Sequence, residues 1–191
     1  MSIGTYVFWG VLIIIILYVV MIYNNLVRLK HNVSQAWSNI DVLMKQRHDE
    51  LPKLVETCKQ YMKYEKGVLE KVTQARAMVA RARESGDVGA LGAAETQLRL
   101  GLNNLYAVAE NYPELRANEQ FQHLQNRISQ LEAQIADRRE FYNDSVNANN
   151  IRIDQFPDTM VARVFNFGPR KLLEFDQSEL RDVNVKALFS N

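Results

Sequence analysis

The sequence predicts an all-α protein that is held in a membrane by its N-terminus. Three observations support this prediction. The chain begins with an apolar run from Ile3 to Tyr23, and the remainder holds only six of the eight glycines together with the four prolines. In that remainder, apolar residues recur every three or four positions, which is the spacing of one face of an α-helix. Long amphipathic helices are therefore expected after the anchor.

The apolar run has the length of one transmembrane helix. At 1.5 Å per residue, about 21 residues span roughly 31 Å, which matches the hydrocarbon core of a bilayer. No basic segment precedes the run and no small-residue cleavage site follows Tyr23, which disfavours a signal peptide. The residues assigned to this membrane anchor are Trp9, Ile13, Ile14, Ile15, Ile16 and Leu17.

Positive charges predict the orientation of the anchor. Arg28 and Lys30 follow the run closely, whereas only the terminal amino group precedes it. Because Lys and Arg accumulate on the cytoplasmic flank, we expect the N-terminus outside and the rest of the chain in the cytoplasm. Three segments are predicted: an anchor at 1–23, a cytoplasmic helical region at 24–156, and a C-terminal apolar segment with a tail at 157–191.

Composition excludes several classes of protein. The residues after the anchor suffice for one domain, and the formal net charge of +1 gives no electrostatic reason to expect nucleic acid as a partner. Cys58 is the only cysteine, so an intramolecular disulfide cannot form. This is compatible with a reducing cytoplasm.

The first cytoplasmic helix carries apolar residues from Leu26 to Met44, and the same stripe resumes at Leu54 and continues to Met62. Pro52 lies in between and removes one helical hydrogen bond. The stripe stays in phase across it, so a kinked continuous helix competes with a true turn. The sequence does not decide between these two interpretations.

Local signals predict the ends of the next two helices. After the helix from Leu69 to Arg83, Gly86 suits a left-handed closing position and Asp87 suits an N-cap. The following helix ends before Pro113, which restricts Tyr112 to extended geometry and opens a new first turn. Small residues at 89–94 allow close approach of another backbone, and helix packing is preferred to ligand contact there.

The last long helix has the most regular spacing. Positions three and four apart alternate from Phe121 to Tyr142, which is a coiled-coil heptad. Asparagines after Asn143 are expected to weaken the helix before Phe156-Pro157. The apolar residues beyond Pro157 should bury against the helices, another subunit or the membrane, and we favour protein packing over the membrane.

No pattern typical of an active site is present. His31, His48 and His123 are not in paired Glu-x-x-His motifs, and consecutive residues such as His48 to Glu50 diverge around a helix. Cys58 lies on an apolar stripe, as a core residue would. We expect neither catalysis, nor a metal, nor a cofactor.

Two arginines fall on the apolar stripes, at positions 47 and 138. A buried arginine needs a carboxylate or carbonyl partner, although its stem can also pack while the guanidinium reaches water. Together with several aromatic residues and two prolines, these two arginines are candidates for fixing helix register or for subunit contact. The full set is Trp37, Arg47, Pro52, Arg138, Tyr142, Phe156, Pro157, Phe165 and Phe167.

Several of these residues also carry a resemblance to a known family. After the anchor the chain reads Ala36-Trp37, Ile40-Asp41-Val42, Arg47, Asp49 and Leu51-Pro52, and later Glu110 to Leu115, Arg138-Arg139, Phe141-Tyr142-Asn143 and Phe156-Pro157. This pattern resembles the LemA family over residues 1 to about 167. The stretch Asp49-Glu50-Leu51-Pro52 departs from the family's usual Asp-Leu-Ile-Pro, and the tail after Gly168 lacks a strong match.

The resemblance implies a four-helix, up-and-down antiparallel bundle on a single bacterial inner-membrane anchor, with no established catalytic activity. Genes of this family often lie beside those for HtpX-like membrane metalloproteases, and a relative acts in magnetosome membranes. We therefore expect a scaffold that contacts membrane lipid, self-associates as a homo-oligomer, and acts in envelope organisation or stress. The alternative is an adaptor or regulator of a membrane protease or transporter.

Overall fold

The structure is a computed structural model that describes residues 3–175. Within these residues the fold is entirely helical and contains no strand, which confirms the predicted class. Four helices are long and two are short. The helices are α1 (Ile3–Lys59), α2 (Lys66–Ser85), α3 (Val88–Ala109), α4 (Pro113–Arg116), α5 (Glu119–Asp154) and α6 (Asp158–Val164). They form two compact units, one from residues 3–39 and 138–172 and the other from residues 40–137 and 173–175.

Helix α1 runs without interruption through Pro52, so the continuous helix is the correct interpretation. Proline lacks the backbone N–H that would bond to the carbonyl four residues earlier, which here belongs to His48. That carbonyl instead accepts a hydrogen bond of 3.0 Å from Nε of Arg76 on α2. A side chain of the neighbouring helix thus replaces the missing helical bond, and Pro52 itself is exposed.

The predicted helix ends between α2 and α3 are confirmed. Gly86 closes α2 in the left-handed region, with φ at 66°. The carboxylate of Asp87 accepts hydrogen bonds from the backbone N–H groups of Gly89 and Ala90 and so caps α3. Pro113 occupies the first turn of α4, as expected, and Tyr112 before it is non-helical, with φ at −120° and ψ at 83°. These ends are determined locally, which explains why spacing and residue type sufficed to find them.

The unit formed by residues 40–137 and 173–175 is built around α2 and α3. Gly101 of α3 lies against Val72, where an added Cβ would be 3.4 Å from a Val72 methyl group. Gly92 of α3 is buried, and a Cβ there would overlap the backbone carbonyl of Glu174. Among the small residues at 89–94, Gly92 therefore does admit another backbone, that of the non-helical chain at Glu174.

The other unit combines the first part of α1, the second part of α5, and α6. The rings of Trp37 and Tyr142 pack with their centroids 5.4 Å apart. Helix α5 continues unbroken through the asparagines that follow Asn143, and ends at Asp154. Its asparagines therefore do not interrupt the helix. The Phe156–Pro157 peptide bond between α5 and α6 is cis.

Arg138 does not lie on the buried face of α5, so that prediction is wrong. Its side chain is exposed, whereas Ile135 and Tyr142 on either side are buried. A helix turns about 100° per residue, so Arg138 is displaced about 60° from Ile135 around the axis. The other heptad positions from Phe121 to Tyr142 stay within about 40° of Ile135 by the same count. A strict heptad thus places residue 138 at the edge of the stripe.

Candidate functional site

The first part of α1 presents an exposed apolar surface. In the described part of the chain, one helix is long and apolar enough to cross a bilayer, and it is α1. Ile14 is 66% exposed and Leu17 is 63% exposed, values that would be costly in water. The anchor residues Trp9, Ile13, Ile15 and Ile16 are likewise exposed. A surface of this size and composition is suited to lipid contact.

The chain around α6 packs against the end of this apolar surface. Val161 and Ala162 are buried in a cluster with Ile22 and Leu26 of α1 and with Ile153 of α5. The cluster covers one side of α1 at the end of the anchor. Val19 and Phe167 are partly buried against it.

Aromatic rings extend this packing. The Tyr23 ring lies 4.8 Å from the Phe165 ring and 5.7 Å from the Phe167 ring, both in edge arrangements. The expectation that residues beyond Pro157 would bury against something therefore holds for Val161, Ala162 and, in part, for Phe167. The structure places this packing on α1 and α5 of the same chain. Residues 176–191 of the predicted tail lie outside the described residues.

Two residues of α5 hold the chain that follows α6. The side-chain amide of Asn150 accepts a hydrogen bond from the backbone N–H of Arg170 and donates one to its carbonyl, each at 2.9 Å. The Tyr142 hydroxyl donates to the carbonyl of Lys171 at 2.9 Å. Burial raises the pKa of this hydroxyl, while the nearby Arg170 acts in the opposite direction. These three bonds tie residues 170–171 to α5.

An ion pair joins α5 to the start of α6. Arg152 contacts the carboxylate of Asp158, which is only 2% exposed. A buried carboxylate without a cation nearby would cost several kcal/mol, so this pair fixes how α6 begins. Arg152 also lines a groove together with Asn24, Asn25 and Arg28. The other residues that line this groove belong to the apolar end of the anchor.

Some exposed residues near α6 are large and apolar. Phe156 is 81% exposed, Val164 is 77% exposed and Met160 is 60% exposed. Phe165 keeps half of its surface free despite its contact with Tyr23. Arg163 is exposed among them. The segment around α6 therefore has one face on the protein and another without protein contact in this chain.

The second candidate site surrounds Arg47, which is 3% exposed on α1. Its guanidinium donates two hydrogen bonds to the carboxylate of Glu95 on α3, at 2.6 and 2.7 Å. Glu132 of α5 lies 4.0 Å away. Burial raises the pKa of Glu132, Arg47 opposes this, and Glu95 adds to it. The arginine thus links α1 to α3 and faces α5.

The polar atoms around this arginine lie within an apolar core. The Tyr106 hydroxyl is buried, and burial together with Glu132 raises its pKa. Cys58 is fully buried, and burial raises its pKa to about 12. Cys58 is therefore a core residue, as the sequence predicted. A thiol held protonated in this way is a poor nucleophile at neutral pH.

His48, Asp49 and Glu50 are consecutive residues of α1, so the helix directs their side chains apart. Among residues 3–175, no group of three His, Cys, Asp or Glu side chains is placed to hold a metal ion. The pKa of His48 is lowered by burial first and by the neighbouring Arg76 second. Glu50 instead pairs with Lys53 on the surface of α1.

A shallow groove between α2 and α3 offers a further surface. It is lined by the apolar side chains of Met78 and Leu100, which are 45% and 40% exposed, and by Ala75 and Gly101. Lys71 is the one charged residue that lines it. The remaining lining residues are Gln74, Gln97 and Asn104.

Three residues that organise these sites were not found from the sequence. Glu95, Arg76 and Asn150 each bond to a partner on another helix or a distant stretch of chain. Nothing in the local spacing of Arg76 and Asn150 distinguishes them from the other charged and amide residues of the chain. Glu95 alone carried a signal, because it lies one turn from Leu91 and Leu98 on an apolar face.

Comparison with known proteins identifies relatives of this chain. The sequence profile of the LemA family matches residues 36–187. The magnetosome proteins MamQ 1 and MamQ 2 of Paramagnetospirillum magneticum are each 24% identical over 170 residues, covering 77% of this chain. MamQ of Magnetospirillum gryphiswaldense is 22% identical over the same length. The chain matches 62% of the length of each of these relatives.

Proposed function

The chain belongs to the LemA family, and from this premise we propose that it is a non-enzymatic scaffold of the bacterial inner membrane that self-associates through its cytoplasmic helices. The membrane part of the proposal is supported by the exposed apolar surface of α1 and by the magnetosome proteins among its relatives. The charges of Arg28 and Lys30 favour a cytoplasmic position for everything that follows the anchor. A role in envelope organisation or stress is part of the same proposal.

The proposal includes a four-helix antiparallel bundle. On α1 and α2, Asp41 pairs with Arg83, and His48 accepts a bond from Arg76, so residue numbers rise along one helix as they fall along the other. Two hydrogen bonds have the same sense: Asn118, just before α5, bonds to Tyr61 in the turn after α1, and Arg127 of α5 bonds to Gln46 of α1. Both patterns support helices that alternate in direction.

The observation that supports self-association is the groove between α2 and α3. Exposed Met78 and Leu100 form an apolar strip, and the neighbouring polar residues carry little charge. Weakly charged apolar strips are typical of contacts between protein subunits. Two copies anchored in one membrane would be confined to the same plane, which favours lateral association.

The size of the full-length protein in mild detergent tests this proposal. We expect a multimer at micromolar concentration by light scattering, and a smaller species for the variant Met78→Glu/Leu100→Glu, because each carboxylate would be desolvated in the contact. Asn103→Glu is the matched control, since Asn103 is an exposed residue of the same helix that does not line the groove. A strictly monomeric unmodified chain would contradict self-association.

Crosslinking in native membranes separates the scaffold from the alternative of an adaptor. A scaffold is expected to yield mainly crosslinks between copies of this chain. A stoichiometric second protein, such as a membrane protease or transporter, would instead favour the adaptor.

A further inference from the structure

The segment around α6 is the strongest feature that the proposed function leaves unused. We propose that residues 156–165 form a membrane-interface element that inserts Met160, Val164 and Phe165 into the lipid headgroup and acyl boundary beside the anchor. The proposal rests on the membrane placement of α1, which belongs to the proposed function, but not on self-association. Its partner is the lipid bilayer itself.

The first argument is depth. Val161 and Ala162 pack on Ile22, and the Phe165 and Phe167 rings pack on Tyr23. Ile22 and Tyr23 are the last residues of an apolar run whose length of roughly 31 Å equals the hydrocarbon thickness. Side chains in contact with these two residues must therefore lie at the boundary between hydrocarbon and headgroups. The depth of α6 follows from the depth of the anchor.

The second argument is the composition of the free face. Met160 and Val164 are one helical turn apart, so they share a face of α6, and they are 60% and 77% exposed. Phe165 follows directly and is 51% exposed. Exposure of such an apolar face to water would be unfavourable in free energy. At a bilayer boundary, apolar side chains of this kind are stabilised by the same transfer that binds amphipathic helices to membranes.

The third argument is charge. Arg163 is exposed between Met160 and Val164 on α6, and Arg170 and Lys171 are exposed on the chain that Asn150 and Tyr142 hold. Arg28 lies on α1 just past the run. The acidic Asp158 of α6 is buried against Arg152 and so does not offset these charges at the surface. Cations beside an apolar face suit the phosphates of anionic lipids.

Spin labels attached to single introduced cysteines test this placement in the full chain, reconstituted in bilayers. The labelled variants are Met160→Cys and Val164→Cys. Cys58 can stay, because it is fully buried with a pKa of about 12 and is expected not to react. Each label is probed for collision with oxygen, which concentrates in lipid, and with a water-soluble nickel chelate.

Two control labels set the scale. Ile15→Cys reports the middle of the anchor, and Ser38→Cys reports an exposed position of α1 about 22 Å beyond Tyr23 along the helix axis. We expect the ratio of oxygen to nickel collision at residues 160 and 164 to exceed that at residue 38 at least several-fold and to stay below that at residue 15, as a position at the bilayer boundary requires.

The other outcomes overturn the inference in distinguishable ways. Labels at 160 and 164 that behave like the label at 38 would place this face in water. Labels sheltered from both probes would mean that protein, such as a second copy, covers the face. If the label at 15 also met the nickel chelate freely, the membrane placement of α1 would fail, and with it both this inference and the proposed function.

Discussion

At the scale of single residues, the pairing of Pro52 with Arg76 explains how a proline is accommodated in the middle of α1. The carbonyl of His48 lacks its helical donor because of Pro52, and Arg76 supplies one from α2. An unsatisfied carbonyl in a partly buried position costs free energy, so the two residues should be energetically coupled. The coupling also holds α2 at a defined height along α1.

A double-mutant cycle measures this coupling. Arg76→Met should lower the free energy of unfolding by about 1 kcal/mol in the natural sequence and by clearly less in a Pro52→Ala background, where the helix recovers its own N–H donor. Chemical denaturation of the full chain in detergent, followed by circular dichroism, gives both values. Arg81→Met is the matched control on α2, because Arg81 is exposed and bonds only within its own helix. Equal costs of Arg76→Met in the two backgrounds would refute the coupling.

The pair of Arg47 and Glu95 gives a second prediction at this scale. Removing the carboxylate with Glu95→Ala leaves a buried guanidinium without its main partner, so unfolding should become easier by about 3–5 kcal/mol. Glu56→Ala removes an exposed carboxylate that pairs with Lys59, and should cost less than about 1 kcal/mol. The same denaturation experiment compares the two. A cost for Glu95→Ala as small as that for Glu56→Ala would show that Arg47 finds other partners at no loss.

These residues also mark what the sequence could and could not predict. The stripe identified Arg47 as inward-facing, but its partner Glu95 is far away along the chain, and no spacing pairs the two residues. Arg76 is likewise far along the chain from its partner, the carbonyl of His48. Because the sequence does not reveal this bond, a kinked helix and a turn at Pro52 were equally compatible with it. Arg138 was misassigned because a heptad of 3.5 residues per turn drifts from a helix of 3.6.

At the scale of elements, helix ends were predictable and the destination of the C-terminal segment was not. Gly86, Asp87 and Pro113 act on their immediate neighbours, so their types and order suffice. The apolar character of α6 indicated that some of its residues would be buried. Periodicity does not identify the helices against which they pack. Packing on Ile22 and Leu26 depends on contacts between stretches far apart in sequence.

The contact between α3 and the chain at Glu174 provides a prediction for an element. Gly92→Ala should displace residues 173–175 from α3, because the new methyl group would overlap the carbonyl of Glu174. Amide hydrogen exchange in residues 170–175 should then become faster. Gly89→Ala is the control, since a Cβ there meets only the Asp87 carboxylate, at 3.5 Å. Unchanged exchange in Gly92→Ala would mean that this stretch does not depend on the contact.

At the scale of the whole molecule, this LemA-family chain combines an exposed apolar helical segment, long enough to cross a bilayer, with a set of packed helices. The helical class, the anchor and the family were predictable, because they rest on composition, on one long apolar run and on a joint residue pattern. The surface to which we assign the proposed self-association was not predictable, because Met78 and Leu100 come together only when α2 and α3 pack.

Counting the copies of the full chain in a lipid bilayer tests the central claim of a self-associating membrane scaffold most directly. A dye on Tyr64→Cys, at a position that is 94% exposed, allows stepwise photobleaching of sparse particles. We predict several bleaching steps per particle for the otherwise unmodified chain, and mostly single steps when Met78→Glu and Leu100→Glu are added. Single steps throughout for the unmodified chain, at the density of a native membrane, would contradict the claim.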